Sequence, residues 1–140
     1  MTYQPGELKV VAYKSGKKWA TEVMKTTGPA QKLTMQPDRA KIQADGLDLS
    51  YVTVTVADKS GLMVPRSKNH IQFSVEGPGE IVATDNGDAT SFESFQAPER
   101  KAFNGLALVI VRAKAGEAGR ITLKAESDGL RGEEIRIRSR

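Results

Sequence analysis

The chain contains no cysteine in its 140 residues. Neither a disulfide framework nor a thiolate metal site is open to it, and redox chemistry gives no clue to its compartment. It has one histidine, His70. Zinc wants three or four nitrogen or sulfur ligands, so a zinc centre is nearly excluded. A histidine-based nucleophile triad would have to be built on His70 with Ser67 or Ser74, and no supporting motif surrounds either serine. No stretch approaches about 18 consecutive apolar residues, so membrane insertion is not expected, and the first ten residues lack the apolar run of a secretory signal. Aromatic residues make up only 6% of the chain, with a single tryptophan, Trp19.

What is present is ordinary for a folding chain. Hydrophobic residues account for 39% and charged residues for 27%, too apolar a balance for intrinsic disorder. The length suits one complete domain plus a piece of another. Twenty-one basic and 17 acidic residues leave a net charge of +4, and the signs alternate along the chain instead of forming blocks. Arg136, Arg138 and Arg140 are spaced by two, which puts them on one face of a strand. No aromatic is interleaved with them as single-strand binders require, so they read as a solvated face and no nucleic-acid partner is expected.

Period-two alternation dominates from residue 31 onward. Val52, Val54 and Val56 alternate with Thr53 and Thr55; Ile71, Phe73 and Val75 with Gln72 and Ser74; Ile121, Leu123 and Ala125 with Thr122 and Lys124; Ile135 and Ile137 with Arg136 and Arg138. Each is the pattern of a half-buried strand. Residues 106–111 are apolar on both faces, which suits a central strand covered on both sides or one near a domain contact. Shorter segments at 33–35, 40–44, 81–83 and 92–95 bring the count to seven or eight strands separated by glycine, proline, asparagine and aspartate turns. The fold class is therefore all-β, an immunoglobulin-like sandwich over residues 31–140. Residues 8–13 and roughly 19–26 form one hairpin around Ser15-Gly16, and Gly28-Pro29 marks a boundary. A lone hairpin buries too little to be stable, so residues 1–30 read as the closing hairpin of a truncated preceding sandwich plus a linker.

Three carboxylate pairs are candidates for acid–base work. Glu133 and Glu134 are adjacent and point to opposite faces. Asp45 with Asp48, and Asp85 with Asp88, flank Gly46-Leu47 and Asn86-Gly87, where Asx side chains stabilise turns. Asp85, Asn86 and Asp88 remain weak candidates for calcium, in a segment much too short for an EF-hand loop. Gly77-Pro78-Gly79 is a turn and not a phosphate loop, since no Lys-Ser/Thr pair or helix follows. No cofactor is expected. Trp19, Tyr3, Tyr13, Tyr51, Phe92, Phe95 and Phe103 are candidates for a sugar platform. Of these, Trp19 and Tyr51 are singled out for a sugar or interdomain contact, Trp19 being read first as a core or interdomain residue.

Residues 6–26 with Thr27-Gly28-Pro29-Ala30 resemble the closing hairpin of the sandwich that follows the barrel in bacterial glycoside hydrolases of family 2. The run Ile42-Gln43-Ala44-Asp45-Gly46-Leu47-Asp48-Leu49-Ser50-Tyr51, then Val64-Pro65, Ile71 to Gly79, Asn86-Gly87-Asp88, Phe103-Asn104-Gly105 and Gly119 to Leu130, resembles the last Ig-like domain of Bacteroides-type β-galactosidases of that family. The resemblance covers nearly the whole chain. It implies a non-catalytic accessory domain of a secreted enzyme of carbohydrate degradation, because the family's catalytic glutamates lie in the barrel and nothing here matches their surroundings. It also implies a periplasmic or extracellular location, with the signal peptide upstream, and the parent's other domains as partners. The rival readings are a carbohydrate-binding module with glycan as partner, and an adhesin or surface-spacer repeat. Self-association through the unpaired hairpin edges is a further expectation.

Overall fold

The computed structural model describes residues 4–140; Tyr3 lies outside the described residues. Glu7–Lys14 (β1) and Lys17–Lys25 (β2) pair antiparallel as an isolated two-stranded sheet. Ser15 and Gly16 turn the hairpin with φ of 51° and 74°, the mirror-image turn whose twist matches that of the strands. Leu8 sits opposite Met24 and Ala12 opposite Ala20, but Leu8, Val10, Tyr13, Trp19 and Met24 are all exposed. Two strands have no second layer to cover them.

The remaining nine strands form two facing sheets. One is four-stranded, in the order Lys32–Pro37 (β3), Leu49–Ala57 (β5), Leu106–Ala113 (β9), Gly79–Asp85 (β7). The other is five-stranded, in the order Lys41–Ile42 (β4), Glu133–Ser139 (β11), Gly119–Glu126 (β10), His70–Glu76 (β6), Glu99–Lys101 (β8). Apart from β4, which runs parallel to β11, every named pair is antiparallel. The alternation places the core: Val52, Val54, Val56, Ala107, Val109 and Val111 from one sheet meet Ile71, Phe73, Ile121, Leu123, Ala125 and Ile137 from the other. Burying each large aliphatic side chain contributes about 1.5–3 kcal/mol.

The chain changes sheets between β6 and β7, and Gly77 makes that crossing. Its φ is +91°, and a Cβ there would overlap the carbonyl oxygen of Arg120. Gly105, at φ +80° before β9, is held the same way by the carbonyl oxygen of Val64. At both positions any side chain would meet backbone, so glycine is required by packing as well as by torsion.

Two local expectations need correcting. Residues 92–95 are a loop, because their carbonyls are engaged elsewhere: Phe95 O accepts from Thr84 N, and Glu93 O and Ser94 O accept from Arg100. The edge strand is instead β8, which pairs with β6 through Ile71 and Arg100 and raises the sandwich to nine strands. Of the two settings expected for residues 106–111, cover on both faces within this chain is the one not found: the outward Leu108 and Ile110 of β9 are half-buried and Leu106 is exposed.

Candidate functional site

The titratable groups are dispersed, and backbone hydrogen bonding engages most of the candidate carboxylates. Asp45 Oδ1 accepts from the amides of Leu47 and Asp48, both at 2.8 Å. Asp48 accepts from Gln43 N at 2.8 Å and pairs with Arg39 Nη2 at 3.0 Å. Amide hydrogen bonds, from Leu47 and Gln43 first, hold both carboxyls below the usual range. Asp88 Oδ1 accepts from the Thr90 hydroxyl at 2.7 Å and the Thr90 amide at 2.9 Å, which hold its pKa low, with a smaller contribution from the Lys68 charge. A general acid needs the opposite, a carboxyl pushed up toward neutral pH. Every resolved carboxyl shift among the described residues is downward.

Asp85, Asn86 and Asp88 cap successive turns. Asp85 Oδ1 accepts from Asn86 N and Gly87 N, Asn86 Oδ1 accepts from Asp88 N, and Asn86 Nδ2 donates to Lys101 O. Among the described residues no group of three or more histidine or acidic side chains is arranged to hold a metal ion. His70 Nε2 lies 3.6 Å from Glu99 Oε2, while the Ser67 hydroxyl donates to Asn69 Oδ1. Glu133 Oε2 accepts the Met35 amide at 2.7 Å and so joins the two sheets.

The aromatic candidates are divided among several elements. Trp19 is 71% exposed on the hairpin, with the Lys14 ammonium 5.9 Å from its ring centroid. Tyr51 is 41% exposed on the outer face of the four-stranded sheet, opposite Ile110. Phe92 and Phe95 stand exposed on the β7–β8 loop, and Phe103 is half-buried. Tyr13 shares the hairpin with Trp19.

Two polar side chains that the sequence conceals organise the surface. Arg100 is only 1% exposed, yet its guanidinium donates to Thr84 O at 2.6 Å, Ser94 O at 2.8 Å and Glu93 O at 3.2 Å, and faces Glu93 Oε2 at 3.5 Å and the Phe95 ring at 5.5 Å. It holds residues 93–95 of the connecting loop to the end of β7. In a Glu-Arg-Lys triplet nothing in composition separates this arginine from a solvated one; the one available signal is that alternation puts it inward between two outward charges. Asp58, also buried, accepts from Gly28 N at 2.9 Å, Ser60 N at 2.8 Å and Leu62 N at 3.0 Å. These amides, Gly28 foremost, hold its pKa low, and the bond to Gly28 ties the linker after the hairpin to the sandwich.

A double sheet whose candidate aspartates are committed to turns defines a β-sandwich module. Residues 33–136 match glycoside hydrolase family 2 C-terminal domain 5, and the chain belongs to that family of domains. It is 40% identical over 135 residues to the β-galactosidase BoGH2A of Bacteroides ovatus, an alignment that takes in 96% of this chain and 16% of that enzyme. A crystal structure of a family 2 glycosyl hydrolase from Bacteroides cellulosilyticus superposes with a TM-score of 0.93 at 34% identity, over 100% of this chain and 18% of the other. The adhesin InvE of Yersinia pseudotuberculosis, at 18% identity and a TM-score of 0.52 over 97% of this chain and 40% of that one, shares the fold alone. The chain thus spans under a fifth of the glycosidases it matches, and it corresponds to a C-terminal domain and not to the catalytic one.

Proposed function

We propose that the chain serves as the non-catalytic C-terminal accessory region of a secreted β-galactosidase, packing against other domains of its parent enzyme. The observation that carries this reading is the family match over 33–136 together with identity to a β-galactosidase along nearly the whole chain. Superposition with a much longer family 2 glycosyl hydrolase along the entire length of this chain, hairpin included, supports reading residues 1–30 as the end of a preceding sandwich and 31–140 as the domain proper. On this reading the exposed apolar residues of the hairpin are contacts to the rest of that sandwich, with Trp19 among them. Tyr51, beside Ile110 and in line with the outward Leu106 and Leu108 of β9, is a contact to a neighbouring domain. As a two-stranded sheet, the hairpin offers unpaired edges through which two copies associate.

A periplasmic or extracellular location follows from the secreted parent. The test is direct: the purified chain should release no nitrophenol from nitrophenyl β-galactoside above a blank. Measurable turnover that survives repurification would overturn the accessory role.

A further inference from the structure

The outer face of the five-stranded sheet is divided by charge. Toward β6 and β8 acids stand among the bases: Lys124 pairs with Glu76 at 2.7 Å and His70 Nε2 lies 3.6 Å from Glu99 Oε2, although Lys101 of β8 is in no ion pair among the described residues. Toward β4 cations stand side by side. Arg120 of β10 is the direct partner of Arg138 of β11, and Arg138 is the direct partner of Lys41 of β4. Their neighbours Ile121, Ile137 and Ile42 point into the core, so all three cations point outward on one line across three strands spaced about 4.8 Å apart. Like charges placed directly opposite destabilise a sheet. Among the described residues none of the three has a carboxylate within 4 Å, and Arg136, one pleat away, reaches only Glu134 at 3.8 Å.

We propose that this row, with Arg136, is a binding site for a chain of anionic sugars. The four cations line an open groove whose remaining surface is Ala40, Gly119 and the edge of the buried Ile137. That lining includes no aromatic residue, so it offers neither the aromatic anchor that commonly centres a protein–protein interface nor a platform on which the bases of a single-stranded nucleic acid would stack. Repeated carboxylates or sulfates on a polysaccharide supply the missing counter-charges without needing either. The site lies apart from the interdomain contacts above and does not depend on them.

Calorimetric titration of the 140-residue chain with polygalacturonate, dextran sulfate and a neutral galactan tests this. Binding to one or both anionic polymers, lost as salt is raised, is expected, with none to the galactan; which polymer binds identifies the anion as carboxylate or sulfate. Arg138→Ser should weaken binding about tenfold. Arg138→Glu should abolish it while raising the melting temperature, because it places an anion between Lys41 and Arg120. The proposal is overturned if neither anionic polymer binds, if the galactan binds equally, if a single-stranded DNA binds more tightly than both, or if Arg138→Glu binds like the parent or melts lower.

Discussion

Replacing Arg100 by alanine should unfold the β7–β8 corner at a cost that can be worked from its contacts. The guanidinium satisfies three backbone carbonyls, those of Thr84, Glu93 and Ser94, and faces the Glu93 carboxylate from a position 1% exposed. Removing one partner of a buried charge network costs about 3–5 kcal/mol, and each orphaned carbonyl accounts for about 1–3 kcal/mol of that unless water reaches it. Glu93 is a third exposed and recovers hydration, which argues for the lower half of the range, about 3–4 kcal/mol. Against a total stability of about 5–15 kcal/mol this is a large loss; at about 4 °C per kcal/mol for a sandwich of this size it lowers the melting temperature by about 15 °C. Urea denaturation read by far-ultraviolet circular dichroism measures it. Arg100→Met restores the volume without the donors and should still cost about 2–3 kcal/mol. If the methionine variant unfolds within about 0.5 kcal/mol of the parent, the carbonyls have found other partners and the stapling argument is wrong.

Gly105→Ala should destabilise by about 2–3 kcal/mol, from a positive φ and a Cβ forced onto the Val64 carbonyl, whereas Gly87→Ala, also at positive φ but with open space around it, should cost about 1 kcal/mol; thermal melts compare them. Acid should weaken the fold through Asp45, Asp48, Asp58 and Asp88, whose folded pKa values are depressed. Their contribution is complete above the unfolded value of about 3.9 and is lost as pH falls through the lower folded values, so the urea midpoint should be flat near neutrality and drop below about pH 4. Deleting residues 1–27, which keeps the Gly28 bond to Asp58 and Ala30 against the core, should leave the melting transition of the sandwich nearly unchanged while removing any concentration-dependent increase in mass by light scattering; persistence of that increase would place self-association elsewhere.

Period-two alternation determined much by itself. With valines at 52, 54 and 56 and isoleucine, leucine and alanine at 121, 123 and 125, a one-residue slip would turn every apolar side chain to water, so the inward face of each long strand was fixed before any pairing was known. The glycine turns and the hairpin were legible for an equally local reason: glycine and asparagine tolerate torsions that other residues avoid. Tertiary structure decided what alternation cannot express. Residues 92–95 carry two phenylalanines in a short segment that reads as a strand, but their carbonyls went to Thr84 and to Arg100, the latter a partner six to seven residues away across a corner. Arg100 and Asp58 look like surface charges until the fold closes over them. The line of Lys41, Arg120 and Arg138 joins residues nearly a hundred positions apart, and only strand order brings three like charges side by side.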